Sequence, residues 1–417
     1  MKTLLLIGSN TGYREVAEYI KKRGDRLIVT DYLPVEESPA KQLADEVWNI
    51  STRDEEAIYQ KCLEEKPDGI LPTTSEPNLE TALKLAERLG LPFYISPRAW
   101  SYVHDKLEFR KMCKKHGLPV AEEFSEENFP TESDCPVIVK PADNCFNRGI
   151  TICEHIDKFG EACRLARENS PTGKIVIEKY IRGNQFNTSY IIVDGHPELI
   201  SLSETRVNPD ESTMCYCLSY SRTEWEAVYL EKYDKKVRKL LKDIGFANGI
   251  AFFQTIADKE TGKIYFLEVN SRLDGLGLFN MLKEAIGVDQ IKLITDISLD
   301  GKTDLTIVPY QTGGRVLCTY CIWSHKPCVI ASIRGVQELS AHLEHLYLHM
   351  NCYEGMRLEE QKEKGNLLFT INFSTATKEQ MIEKLRYINR TVSVLDTEGE
   401  DIMVRYNGPE IQENQPS

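Results

Sequence analysis

Two apolar runs, "GIAFFQTIA" and "KIYFLEVN", meet across the short turn "DKETG" and leave residues 249–270 almost no conformational choice. A Gly-containing turn of this length closes an antiparallel hairpin. Centred near Thr261, the hairpin puts Gln254 opposite Glu268. Alternate side chains of a strand share a face. Gln254, Glu268 and Asn270 therefore project together, and Arg272 and Asp274 continue the alternation in "YFLEVNSRLDG". Ile250, Phe252 and Phe266 are assigned to the same face, which argues against a merely solvated ribbon. Three oxygen-bearing side chains on a rigid ribbon suit a hard cation such as Mg²⁺, which keeps ligand positions for water and phosphate. One carboxylate and two amides make a weak site unless a polyphosphate supplies the remaining charge.

The chain has 417 residues, enough for two or three domains. Its first hundred alternate strand and helix signals: "TLLLIGSN", the helix "YREVAEYIKKRG", "RLIVTDYL", "PDGILPTT", the helix "NLETALKLAERLG" and "LPFYIS". That rhythm predicts an α/β unit with a parallel sheet covered by helices. The first turn, Gly8 to Gly12, lacks the G-x-G-x-x-G spacing, so Asp31 is weak evidence for a dinucleotide. An anion or small-molecule site at this turn and helix start stays open. From Asp105 the pattern becomes α+β: "DKLEFRKMCKKHG", "CPVIVKP", "RGITICEH", "KFGEACRLAREN" and "GKIVIEKYI". Longer strands follow to about residue 300. A last region holds "GRVLCTYCIW", "GNLLFTINFS" and "KEQMIEKLRYIN", and the polar tail "PEIQENQPS" reads as disordered.

A net charge of −13 without a compensating basic, aromatic-rich patch argues against nucleic-acid binding. No apolar run approaches a membrane span, and the N-terminal run is too short for a signal-peptide core, so the cytosol is the expected compartment. Cys318 and Cys321 have C-x-x-C spacing, with His342, His345, His349 and Cys352 downstream. A strand, however, sends Cys318 and Cys321 to opposite faces, and "LYLHMNCY" also alternates like a strand. These residues read as structural, with a metal or redox role as the lesser alternative.

A nucleotide-metal site needs cations for phosphate. Lys140 ends the buried strand "VIVKP" and Lys106 opens a helix. Glu178 lies on a strand that can offer an acceptor to an adenine amino group. The backbone of Tyr180 and Ile181 can pair with a ring edge, and Gln185, beyond the Gly183 turn, can reach a ribose. In this order, Lys106, Lys140, Glu178 to Gln185, Gln254, "EVN" and Arg272 resemble the ATP-grasp superfamily. The chain is similar to its stand-alone carboxylate–amine ligases, related to the carbamoyl phosphate synthase large subunit, biotin carboxylase and the purine-pathway ligases. The resemblance implies an N-terminal Rossmann-like domain at 1–100. It implies an ATP-grasp domain at 101–300, with a small lid lobe at about 117–182, and a C-terminal α+β ligase region at 301–417.

The resemblance also implies roles. Lys106 and Lys140 hold ATP phosphates; Glu178, Tyr180 and Ile181 form the adenine hinge; Gln185 meets the ribose where the family more often has Glu. Gln254, Glu268 and Asn270 are implied ligands of Mg²⁺ (or Mn²⁺), and Arg272 lies near the transferred phosphate. The loop after the strand lysine, "ADNCFNRGI", is poorer in glycine than the family's lid, which assigns phosphate closure to Asn144, Asn147 and chiefly Arg148. The implied reaction phosphorylates a carboxylate and joins the acyl-phosphate to an amine, with Lys140, Arg148 and Arg272 as the catalytic set. A bicarbonate-activating enzyme and a non-catalytic ATP-binding subunit are the alternatives. Arg206 and Arg315 are candidate anchors for a substrate carboxylate. The expected partners are a small carboxylate and a small amine, without nucleic acid or membrane, and a homodimer is left open.

Overall fold

The computed structural model describes all residues except 126–127, 143–148, 209–215, 312–313, 344–345, 361–364 and 413–417, and the side chain at 342. The first layer comprises β1 (Thr3–Ile7), α1 (Tyr13–Arg23), β2 (Arg26–Thr30), β3 (Glu46–Trp48), α2 (Glu55–Glu65), β4 (Gly69–Pro72) and α3 (Glu76–Leu89). Its four strands are parallel in the order β3-β2-β1-β4. Leu4 to Ile7 are wholly buried, because a parallel strand is covered on both faces and so reads as an unbroken apolar run. The Gly8–Asn10 part of the first turn is filled from within, whereas Thr11 and Gly12 line a cavity of about 440 Å³. Asn78 donates to Ile7 O at 3.2 Å and to Asn10 Oδ1 at 3.0 Å, and the Ser9 hydroxyl accepts from the Ala40 amide. Gly8, at φ 87°, leaves the space that the Asn78 side chain occupies. "LPFYIS" is not a strand. Its Tyr94 leaves the sheet and bonds Ser271 O at 3.1 Å, fastening this layer to the segment after the hairpin.

A second unit follows: α4 (Pro97–His104), α5 (Lys106–Lys115), β5 (Glu123–Phe124), β6 (Val137–Pro141), β7 (Thr151–Cys153), α6 (Phe159–Glu168) and β8 (Ile175–Lys179). The strands form a small antiparallel sheet, β5-β8-β6-β7. Ala162, Cys163 and Ala166 of α6 pack with Val137, Val139 and Ile177 on one face. The alternate positions Ile138, Lys140 and Glu178 take the other face.

The remainder is β9 (Gly183–Val193), β10 (His196–Val207), β11 (Tyr216–Tyr220), α7 (Trp225–Lys232), α8 (Asp234–Ile244), β12 (Gly249–Asp258), β13 (Lys263–Asn270), α9 (Leu278–Ile286) and α10 (Gln290–Asp300), then β14 (Val316–Ser324), β15 (Cys328–Arg334), α11 (Val336–His342), β16 (Leu346–Met350), β17 (Arg357–Leu358), β18 (Asn366–Thr375), α12 (Lys378–Thr391), β19 (Ser393–Asp396) and α13 (Pro409–Gln412). Eight of these strands make one sheet in the order β13-β12-β9-β10-β11-β14-β18-β16. The pairing of β11 with β14 carries that sheet across residue 300, so the region boundary expected there is not a break in the hydrogen-bonded structure. Among the described residues no helix is long and apolar enough to cross a membrane.

The tail corrects an expectation. Residues 409–412 form α13, and Glu410 is buried against Arg206, Tyr220 and Tyr406. A buried ion pair holds a segment whose polarity alone reads as disorder; residues 413–417 lie outside the described structure.

Candidate active site

The hairpin forms with Gln254 opposite Glu268 and Phe252 opposite Asn270. One extra residue, Leu267, then enters β13, so that Thr255 faces Phe266. This bulge corrects the expected side for Phe266. It belongs with Phe253 on the reverse face, at 6.0 Å between ring centroids, and is wholly buried there. The oxygen-bearing face of Gln254, Glu268 and Asn270 stays intact, with Asn270 Nδ2 3.5 Å from Glu268 Oε1.

Helix α5 brings the cations. The Asp105 carboxylate caps its start, accepting from the amides of Leu107 at 2.8 Å and Glu108 at 3.1 Å. Lys106 then reaches Glu268 Oε2 at 3.3 Å. One turn on, Arg110 is buried and joins both Glu123 and Glu178. These two carboxylates are directly opposed in the β5–β8 register, where like charges repel. A cation between them is what makes the pairing stable, and Arg110 supplies it. Lys140 adds a second, donating to Glu178 Oε2 at 2.7 Å. Glu178 is thus a counter-ion to two cations rather than a free acceptor. Burial, aided by repulsion from Arg110 and Lys106, lowers the Lys140 ammonium to about 8.

The residues expected to form the hinge follow directly. The Tyr180 amide already donates to Pro136 O at 2.9 Å, whereas among the described residues the Ile181 amide has no such partner. Gln185 lies opposite Ile256 and donates to Asn187 Oδ1 at 3.0 Å.

Beyond the hairpin face opens a cavity of about 540 Å³, lined by Gln185, Gln254, Arg272 and Asp274 on one side and by Tyr216, Trp323 and Met356 on the other. Its floor is a row of small polar side chains crossing the eight-stranded sheet. The Asn187 amide donates to Thr205 Oγ1 at 3.3 Å, Thr205 bonds Ser219 at 3.3 Å, and Thr319 bonds Asn372 at 2.6 Å. Asp274 Oδ1 accepts from the amides of Leu276 at 2.8 Å and Leu278 at 3.4 Å, and burial pushes its carboxyl up from the usual carboxylate range.

The two candidate anchor arginines lie elsewhere. Arg206 is committed to Glu204 and to Glu410, the latter at 2.7 Å, and also bonds Tyr220. An arginine neutralised twice inside the protein has no charge left for a substrate, which corrects that expectation. Arg315 donates to Ser374 Oγ and O at 2.9 and 3.2 Å and lines a separate cavity of about 250 Å³. It is therefore not brought to the site either. Arg148, Asn144 and Asn147 lie outside the described residues. Cys318 and Cys321 are buried in β14, and among the described residues the cysteines and His349 form no three-ligand group; His345 is not described.

Sequence reasoning missed Arg110, Asp274's place in the cavity and the polar row. Arg110 had a signal, its i,i+4 spacing from Lys106. The polar row had none, since its members come from strands up to 185 residues apart whose pairing no local pattern specifies.

Residues 103–276 match the family description "ATP-grasp domain". The chain is 21% identical over 294 residues to the formate-dependent phosphoribosylglycinamide formyltransferase of Pasteurella multocida, covering 68% of this chain and 72% of the relative. Among solved structures, the L-amino acid ligase from Bacillus licheniformis superposes with a TM-score of 0.77 at 20% identity, covering 95% of this chain and 99% of that one. The phosphoribosylglycinamide synthetase from Anaerococcus prevotii superposes with a TM-score of 0.74 at 17% identity, covering 95% and 100%. At these identities the structures establish a shared fold.

Proposed function

We infer that this chain, whose residues 103–276 form an ATP-grasp domain, is an ATP-dependent carboxylate–amine ligase. It phosphorylates a carboxylate and condenses the acyl-phosphate with an amine, giving an amide, ADP and phosphate. The observation that carries the reading is the convergence of Lys106 of α5 and Lys140 of the small sheet on the hairpin, whose Gln254 lines one cavity. There Lys106 meets Glu268, and Gln254 and Arg272 line the cavity wall.

Gln254, Glu268 and Asn270 are an all-oxygen donor set with one carboxylate, which fits Mg²⁺ or Mn²⁺ held jointly with a polyphosphate. The Lys106 ammonium now sits on that carboxylate, so the position already accommodates positive charge. When bound, the metal would supply charge neutralisation between nucleotide and acid. The protein supplies the rest. Lys106 and Lys140 hold phosphate oxygens, and Ile181 and Gln185 hold the base and ribose. Arg272 faces the acid, and Arg148 closes over the terminal phosphate. Positioning and electrostatic stabilisation dominate such transfers, so no covalent nucleophile is required. A cytoplasmic setting suits this chemistry.

The test is ADP release from MgATP with pooled organic acids and amines. Release that needs one acid and one amine supports the reading. Release triggered by bicarbonate alone, or tight nucleotide binding without turnover on any pool, would overturn it. The role of Arg148 is separable. Arg148→Ala should lower kcat strongly with a modest loss of ATP affinity, whereas a wild-type single-turnover rate would remove it from the catalytic set.

A further inference from the structure

Arg272 and Asp274 are the charged groups among the described residues that line the 540 Å³ cavity. They are two residues apart and make no direct ion pair, although the Arg272 charge acts on the Asp274 carboxyl through space. Arg272 donates from Nη1 to Leu273 O at 3.2 Å, and its Nε is buried without a partner. Asp274 uses Oδ1 for the amides of Leu276 and Leu278, and among the described residues no group donates to Oδ2. The cavity therefore presents one unspent cation and one unspent anion side by side.

Among the described residues the other walls carry no charge. The floor hydroxyls and amides bond one another. At the far end Trp323 and Tyr216 pack edge to face at 5.9 Å, and the indole N–H is used on Tyr216 O at 3.0 Å. Met356 and Leu358 complete an end with apolar surface.

We propose that this cavity selects a zwitterionic amino acid with an apolar or aromatic side chain. Its carboxylate would lie against Arg272 on the Gln254 side, its ammonium at Asp274 Oδ2, and its side chain toward Trp323 and Tyr216. This deepens the ligase reading and rests on it for the carboxylate's fate. A dicarboxylate or a phosphorylated acid would bring a second anion for which the described residues of these walls hold no second cation. A plain monocarboxylate would fill the cavity and leave Asp274 desolvated and unpaired, a costly arrangement. Burial already raises the Asp274 carboxyl, and an incoming ammonium relieves that penalty. The volume falls in the range of small-molecule sites and leaves room for a second reactant.

The experiment pairs leucine and phenylalanine, both enantiomers of each, with 4-methylpentanoate and 3-phenylpropanoate, their analogues without the amino group. Binding to full-length protein loaded with a non-hydrolysable ATP analogue and Mg²⁺ is measured by calorimetry, and ADP release is measured in parallel. Asp274→Asn keeps an oxygen to accept the Leu276 and Leu278 amides, and its melting curve checks the fold. Wild type should favour an amino acid over its analogue by about 10²-fold, and Asp274→Asn should remove that preference by weakening the amino acid alone. Equal binding of both members of a pair overturns the proposal. So does equal weakening of both by Asp274→Asn, or stronger binding of succinate or 3-phosphoglycerate. Selective amino-acid binding without ADP release from MgATP, even with the pooled amines added, would sustain the subsite and refute the ligase reading instead.

Discussion

Replacing Arg110 by Met keeps the side chain's bulk and removes the guanidinium from between Glu123 and Glu178. Glu178 is 2% exposed and directly opposes Glu123. Removing one partner of a fully buried ion pair costs about 3–5 kcal/mol. Two features reduce that figure. Lys140 remains on Glu178 at 2.7 Å, and the Glu123 side chain is 31% exposed and partly screened. The expected loss is therefore about 2–3 kcal/mol, confined to the small lobe. Amide hydrogen exchange in β6 and β8 would report it as a roughly 30- to 150-fold loss of protection. A second readout separates electrostatics from packing. With Arg110 gone, Lys140 loses a repulsive neighbour, so the pH at which ATP affinity falls should move up from about 8. Adding Glu178→Gln should restore most of the lost protection by removing the stranded charge. Protection within about 0.5 kcal/mol of wild type, with an unmoved pH profile, would refute the buried-bridge account.

Lys140 is charged below its lowered value and neutral above it. Wild-type ATP affinity should therefore be flat up to about pH 8 and fall about tenfold per unit beyond, as a titration of Kd would show. Glu268→Gln should cut ADP formation by at least about 10²-fold even at saturating Mg²⁺, with an unchanged melting temperature. Lys106→Ala removes a half-exposed pair, so stability should change by less than about 1 kcal/mol while ATP binding weakens. Burial opposes the charge of Glu410, yet the Tyr406 hydroxyl and Arg206 hold its carboxyl at about 2. Its stabilisation is thus present above the ordinary carboxyl range and lost as pH falls toward 2; Glu410→Gln should flatten that acid limb in urea unfolding.

Most of the parallel N-terminal layer was legible because buried strands are continuous apolar runs and α1 and α3 end in glycine, whereas β3 is three residues long and α2 is capped at Lys66, and neither was legible. The hairpin register was legible because turn length sets it. Leu267 shows the limit: a bulge is an extra residue with no compositional mark, and it moved Phe266 to the other face. "LPFYIS" failed because Tyr94 is recruited by Ser271 O, a contact 177 residues away. Arg206 and Arg315 were named from the general affinity of arginine for carboxylates. That reasoning could not see that Glu204 and Glu410 hold the first internally, and Ser374 the second. Chemistry concentrated in one hairpin is readable from sequence, whereas chemistry assembled by sheet topology is not.

The continuous sheet makes the order of synthesis matter. Thr319 on β14, bonded to Asn372 on β18, finishes the floor that Asn187, Thr205 and Ser219 begin. Until β14 docks, one long side of β11 is an open hydrogen-bonding edge, able to recruit a strand from another chain. A nascent chain halted near residue 300 would thus hold the hairpin residues yet lack Thr319 and Asn372 of the polar row, and would be prone to self-association. Ribosome-stalled fragments ending at 300 and at 396 would display this as aggregation of the shorter and solubility of the longer.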